Sequence, residues 1–349
     1  MKKILAIILA FGMILSLTAC GAKTTENKSE TNNEATAAPT TAAATEKPAD
    51  TTDASGTTYN VGIIQLVQHE ALDAATQGFQ DALTELLGDK VKFDLQNASG
   101  DSATCATIAN QFVSNKYDLI MANATPALQA AFSATNSIPI LGTSVTDYGT
   151  ALDIDNWTGV TGYNVSGTSD LAPLDKQADM IKELFPDAKN IGILYCSAEA
   201  NSKYQSSVIQ GYLTKMGYTC TEYTFADSND VASVTQKAAS ESDVIYIPTD
   251  NTAASCTEAI NNVAEPAGIP IVAGEEGICK GCGIATLSIS YYDLGYETGK
   301  MAYEVLANGA DVSKMEVQFA PKTTYKFMAD RAAKLGVTIP DSYVAIEAE

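Results

Sequence analysis

The stretch SDVIYIPTDN, residues 242–251, ends an apolar run, Val244 to Ile247, on three polar side chains, Thr249, Asp250 and Asn251. Other short apolar runs finish the same way: on Gln68, His69 and Glu70, on Thr125, on Thr143, Ser144, Thr146 and Asp147, and on Ser197, Glu199 and Asn201. Carboxylates, amides, hydroxyls and one imidazole are groups for hydrogen bonding and charge pairing. Each polar cluster could simply cap the helix that follows it, since Asp, Asn and Thr are favoured N-caps. So many polar run ends favour instead one cleft lined by all of them.

Covalent chemistry has little support. His69-Glu70 cannot complete a helical zinc motif, which needs a second His four residues on, because the chain has one His. No Gly-x-Ser-x-Gly elbow and no Gly-Lys-Ser/Thr phosphate loop is present, and Gly62 and Gly78 stand alone rather than in a dinucleotide fingerprint. Neither catalytic residue, metal nor cofactor is expected, and His69 reads as a cleft or capping residue.

The elements that must hold these run ends repeat. Val61-Gly62-Ile63-Ile64 opens a block with helical spacing at Ala74, Gly78, Phe79, Ala82, Leu83, Leu86 and Leu87, then Asp118-Leu119-Ile120-Met121 and Ile138-Pro139-Ile140-Leu141-Gly142. About 130 residues later come Ile191-Gly192-Ile193-Leu194, a helical stretch closing on Tyr212 to Gly217, then Asp243-Val244-Ile245-Tyr246 and Ile269-Pro270-Ile271-Val272-Ala273-Gly274. Landmarks recurring in one order predict two copies of one fold. Apolar runs of four or five residues separated by helical spacing read as βαβ units around a parallel sheet buried on both faces. The fold class is therefore α/β, two doubly wound parallel-sheet lobes joined by hinges. Ligands of such sheets bind outside the carboxyl ends of the strands, where the polar residues lie.

Residues 1–20 carry Lys2 and Lys3 ahead of the apolar Ile4 to Leu17, the pattern of an export signal too short for a comfortable bilayer span. It closes on Leu17-Thr18-Ala19-Cys20, which resembles the lipobox of bacterial lipoproteins and implies a lipidated Cys20. Residues 21–58 have no large apolar or aromatic side chain and read as a disordered linker. The remainder exceeds one usual core, so two lobes are expected: residues 59–164 with part of 289–320, and 165–288 with 321–349. With 42 acidic against 21 basic residues the formal charge is −21, which disfavours nucleic acid and anionic lipid as partners. An extracytoplasmic monomer held at the cell membrane by its lipid is expected.

Lipobox, spacer and two α/β copies together resemble the substrate-binding lipoproteins of ABC importers with the type I periplasmic-binding fold. Gln68 to Ala75, Ala124-Thr125-Pro126-Ala127, Ser144-Val145-Thr146-Asp147, Thr249-Asp250-Asn251 and Tyr292-Asp293-Leu294-Gly295 look like the loops of the subfamily serving importers of tryptophan or tyrosine. The chain departs at Tyr148, where that subfamily usually carries proline. The resemblance implies capture of a free amino acid, an aromatic one, between the lobes and delivery to an ABC permease and its ATPase. A sugar- or nucleoside-binding lipoprotein of the same fold is the alternative.

For an amino acid, Thr125 at a helix start with Thr143, Ser144 and Thr146 would hold the carboxylate. Asp250 beside Asn251, or else Asp147 or Glu199, would take the ammonium group. Arg331, the single arginine, lies outside these loops, so no arginine clamp is expected. Tyr148, Tyr163, Tyr195 and Tyr291 are candidates to meet an aromatic ring, while Trp157 reads as a surface or loop residue. Hinges are expected around Gly162 to Thr168, around Leu287 to Tyr292, and near Phe319 to Lys322. Of the six remaining cysteines, Cys196 and Cys220 fall near neighbouring strands and could bridge, or all six stay reduced; Cys279 and Cys282 resemble a redox pair by spacing alone.

Overall fold

The structure, a computed structural model, describes residues 58–347. The expected signal, Cys20 and all but the last residue of the linker lie outside the described residues. The first block alternates β1 (Tyr59–Gln65), α1 (Glu70–Leu87), β2 (Val91–Asn97), α2 (Ser102–Ser114), β3 (Leu119–Asn123), α3 (Thr125–Ala134), β4 (Ile140–Val145), α4 (Tyr148–Leu152) and β5 (Val165–Ser169). The second runs α5 (Leu174–Leu184), β6 (Asn190–Cys196), α6 (Ala200–Lys215), β7 (Thr219–Phe225), α7 (Val231–Glu241), β8 (Val244–Ile247), α8 (Asn251–Ser255), α9 (Thr257–Ala267), β9 (Ile271–Ala273), α10 (Glu276–Cys282) and β10 (Ala285–Ser288). The chain closes with α11 (Tyr291–Asn308), β11 (Gln318–Phe319), β12 (Thr324–Phe327), α12 (Ala329–Lys334) and β13 (Val344–Ala345).

Two sheets form, ordered β11-β5-β4-β3-β1-β2 and β13-β12-β10-β9-β8-β6-β7. Removing the edge additions leaves β2-β1-β3-β4-β5 and β7-β6-β8-β9-β10, the same doubly wound order twice, so the sequence repeat is a repeat of topology. All pairings are parallel except that of β10 with β12. The central strands are apolar on both sides because helices cover both faces. In the first lobe Ile64, Ile120 and Ala122 meet Phe112 of α2 and Leu128 of α3, while Val61, Ile63 and Met121 meet Phe79 of α1 and Met301 of α11. In the second, Ile245 and Ile247 face Val231 of α7 and Ile260 of α9, and Ile193 and Tyr246 face Ile181 of α5 and Ile209 of α6.

Helices trade lobes. After β5 the chain passes to α5, which lies on α6, and after β10 it returns to α11, which lies along α1. The α1–α11 contact is close enough that a Cβ at Gly295 would collide with the carbonyl oxygen of Ala75. The crossings are therefore residues 170–173, 289–290 and 320–323. Two coincide with expected hinges. The first does not: Val165–Ser169 is an interior strand of the first sheet, so the crossing begins at Asp170, past the expected 162–168 hinge and the 164/165 boundary.

Trp157 lies in the loop between α4 and β5, as expected, but is half-buried and stacks on Tyr148 with ring centroids 6.2 Å apart, packed against the first lobe's core. The six cysteines beyond Cys20 are unbridged. In the β6–β7 register Cys220 faces Ile191 while Cys196 faces Phe225, five residues further along. At about 3.3 Å per residue that offset puts the two thiols far beyond disulfide reach. Arg331 donates to the carbonyl oxygens of Cys279, Lys280, Gly281 and Gly283, closing the end of α10.

Candidate functional site

The carboxyl ends of β1, β3 and β4 meet those of β6 and β8 across the space between the lobes. Three contacts cross it. Gln205 Nε2 of α6 donates to Thr146 Oγ1 at 3.3 Å, His69 Nε2 lies 3.3 Å from Asn251 Oδ1, and Lys280 pairs with Glu70 at 3.4 Å. His69 occupies the N-cap position of α1 without a side-chain capping bond, and burial lowers its pKa. Gln68 and Glu70 are exposed at the rim.

On the first lobe, two non-glycine residues at the strand ends adopt left-handed backbone, Ala124 at φ 91° and Ser144 at φ 55°. Such conformations cost roughly 1–2 kcal/mol each and cluster at ligand clamps. Ala124 turns β3 into α3. Ser144 lies where the β4–β5 register shifts between Gly142 and Val145. Thr125 Oγ1 and Ser144 Oγ are buried without a hydrogen-bond partner. The first turn of α3 adds main-chain N–H groups that the helix itself leaves free, with Pro126 placed where no N–H is needed. Thr143 stands behind this surface, accepting from Thr168 Oγ1 at 3.2 Å.

On the second lobe the acidic side chains serve the protein. Asp250 caps α8 by accepting from Ala253 N at 2.7 Å, and its other oxygen accepts from Cys196 N at 2.7 Å and Ser202 Oγ at 2.6 Å. Glu199 accepts from the main-chain and side-chain donors of Asn251 and Thr252 and from Asn201 Nδ2. Asp147 is the N-cap of α4, accepting from Thr150 N at 2.7 Å. Ser197 donates to Phe225 O within its own lobe. The expected ammonium partners are thus occupied by their own helices and strands. Asn201 does present Oδ1 buried and unpartnered.

Two groups absent from the expected set complete the cleft. Gln205 follows Asn201 by one helical turn and so shares its face; its amide also reaches Asn201 O at 3.3 Å and Thr249 O at 3.1 Å. That spacing was a usable signal. Asp170, the first crossing residue, is buried and accepts from Thr146 Oγ1 and Tyr291 Oη, both at 3.0 Å. It was hidden by the misplaced hinge. Of the four tyrosine candidates only Tyr291 joins this network. Tyr148 is buried against Gly142 with its hydroxyl on Thr168 O, Tyr195 bonds Glu222, and Tyr163 packs on Phe132.

Burial dominates the electrostatics. It raises Asp170 to about 6 and Asp250 to about 7, with the nearby Glu199 charge adding to both, and raises Glu275, the cap of α10, to about 7. A cavity of about 380 Å³ lined by Glu70, Glu275, Tyr291, Pro321 and Lys326 flanks two crossings, and one of about 360 Å³ lined by His69, Ser255 and Lys280 lies at the mouth. Neither is lined by Thr125, Ser144 or Asn201. Among the described residues no group of three or more His, Cys, Asp or Glu is arranged to hold a metal ion, and no helix is long and apolar enough to cross a membrane.

The family model described as ABC transporter substrate binding protein matches residues 60–349. A tyrosine-binding protein of Clostridioides difficile (strain R20291) is 38% identical over 329 residues, covering 92% of this chain and 89% of that protein. A Streptococcus pneumonia ABC domain in complex with L-Trp is 34% identical with a TM-score of 0.79, covering 83% of this chain and all of that one. The ligand-free, open structure of a Clostridium difficile substrate binding protein with adhesive properties is 38% identical, at the same coverage, with a TM-score of 0.64.

Proposed function

Because the chain belongs to the ABC transporter substrate-binding proteins, an extracytoplasmic family, we propose that it captures a free aromatic amino acid, tyrosine or tryptophan, for import. Lobe closure encloses the ligand, the closed form docks on a membrane permease served by an ATPase, and lipid on Cys20 keeps the protein at the membrane. The observation that carries this reading is that, of five buried, unpartnered side-chain polar atoms among the described residues, Thr125 Oγ1, Ser144 Oγ and Asn201 Oδ1 belong to strand-end segments of the two lobes, the other two being Asn123 Oδ1 in β3 and Thr286 Oγ1 in β10. An unsatisfied buried polar atom costs about 1–3 kcal/mol, so three at one cleft call for a ligand that supplies partners.

The two hydroxyls and the start of α3 offer donors to a carboxylate, as helix N-termini do for anions. Contacts to both lobes favour the closed form, since only a differential interaction shifts such an equilibrium. Family membership supports binding without catalysis, and the tyrosine-binding and L-Trp-bound relatives support the aromatic ligand.

The test is calorimetric titration of the folded part, residues 58–349, with the twenty amino acids, a sugar panel and a nucleoside panel. Saturable binding of tyrosine or tryptophan well ahead of the rest is expected. Binding of sugars or nucleosides and of no amino acid would overturn the ligand class while leaving the family untouched.

A further inference from the structure

We propose that Asp170 is the residue that accepts the ligand's ammonium group, an assignment that rests on the amino-acid reading above. An ionised carboxylate has about four acceptor positions. Asp250 spends three on Cys196 N, Ala253 N and Ser202, and Glu199 accepts five bonds from Asn201, Asn251 and Thr252. Asp147 and Glu275 each cap a helix. Asp170 accepts one hydroxyl on each oxygen, with a local contribution from its own main-chain amide, and so keeps acceptor capacity.

Its position fits the role. Asp170 is the first residue of a crossing between lobes, and its partners Thr146 and Tyr291 belong to the first lobe's strand end and to the start of α11. Thr146 in turn receives Gln205 from the second lobe, whose amide also touches Asn201 O. Asn201 is 5% exposed, and its Oδ1, buried and unpartnered, is an acceptor on that side of the network. Acceptors thus stand at Asp170 and Asn201, while the first lobe's unpartnered hydroxyls are those of Thr125, which opens α3, and Ser144 in β4. An amino acid would suit this division, its ammonium group on the acceptors and its carboxylate on the hydroxyls.

The electrostatics agree. The charged group bearing on Asp170 is Glu199, also negative, and burial holds the carboxyl at about 6 in the unliganded protein. The phenols of Tyr291 and Tyr148 also face it. A cation delivered by the ligand would ionise Asp170 fully and release a proton on binding near pH 5.5.

The experiment compares wild type, Asp170→Asn and Asp250→Asn by calorimetry with L-tyrosine and L-tryptophan and with their des-amino analogues, 3-(4-hydroxyphenyl)propionate and indole-3-propionate. Wild type should prefer each amino acid to its analogue, and Asp170→Asn should lose about 10- to 100-fold on the amino acids, as for a charge-assisted bond, and little on the analogues. Asp250→Asn should keep the preference. Titration at pH 5.5 in two buffers of different ionisation enthalpy should show proton release by wild type and none by Asp170→Asn. Wild type alone decides if the variant fails to fold, because an absent proton release overturns the assignment. An undiminished preference in a folded Asp170→Asn also overturns it, leaving the functional reading intact. Wild type that binds no amino acid overturns both.

Discussion

Gln205 of the second lobe donates to Thr146 of the first at 3.3 Å, and the Thr146 hydroxyl in turn donates to Asp170 at 3.0 Å. One threonine hydroxyl therefore joins the closing lobe to the hinge. Gln205 also binds the main chain at Thr249, donating to its oxygen and accepting from its nitrogen, so the amide is oriented within its own lobe before the cleft closes. Gln205→Ala should weaken ligand binding about 5- to 10-fold, the worth of roughly one net hydrogen bond. Unchanged affinity by titration calorimetry would mean that the bridge does not contribute to closure.

Thr125 and Ser144 allow an unusual separation of stability from binding. Their hydroxyls have no partner in the unliganded protein, and in Thr125→Ala the relief of that unsatisfied group offsets the loss of a buried methyl, so urea-unfolding stability should stay within about 0.5 kcal/mol of wild type while ligand binding weakens about tenfold. Ser144→Gly should go further and stabilise the free protein by about 1 kcal/mol, because φ 55° suits glycine. A large stability loss in either would show that the hydroxyl is satisfied within the protein.

Asp250 should behave in the opposite way. Asp250→Ala leaves Cys196 N, Ala253 N and Ser202 without their acceptor and should cost about 2–4 kcal/mol on urea unfolding. A fully stable variant that loses ligand binding would return Asp250 to the ligand.

The pH dependence follows from the raised carboxyls. An acid whose folded pKa exceeds its unfolded value binds more protons when folded, so its contribution to stability is present below the unfolded pKa and is lost as pH rises through the folded one. For Asp170 that window runs from about 4 to about 6. The stability of wild type minus that of Asp170→Asn should therefore fall between pH 4 and pH 7, read from urea unfolding without ligand. A difference that rises across that range would contradict the buried, uncompensated state.

The thiols should divide by burial. Cys105, Cys196, Cys279 and Cys282 are buried and Cys220 and Cys256 half-buried, and burial pushes Cys105 and Cys196 up to about 11 and Cys282 to about 12. Ellman's reagent at pH 8 should titrate Cys256 and Cys220 first, and the buried four only on unfolding. Rapid reaction of Cys279 or Cys282 in the folded protein would revive the redox reading of that pair.

Sequence alone determined the repeat. Val61 to Ile64 and Ile191 to Leu194 are apolar on consecutive positions, which only a strand covered on both faces tolerates, and their recurrence in order dictated two lobes with polar strand ends. Local pattern also placed Thr125 at a helix start and Ser144 at a strand end. It could not say which polar side chains are spent. Asp250 reads the same in sequence whether it awaits a ligand or holds Cys196 N, because that amide lies 54 residues away and meets it only when β6 and β8 pair. Tyr148 likewise became a core residue through tertiary packing on Gly142, with Trp157 half-buried against it. Asp170 gained its place from the chain's crossing between lobes, an event set by which sheet accepts Val165–Ser169 as a strand, and burial there gave it both its raised pKa and its spare acceptor capacity.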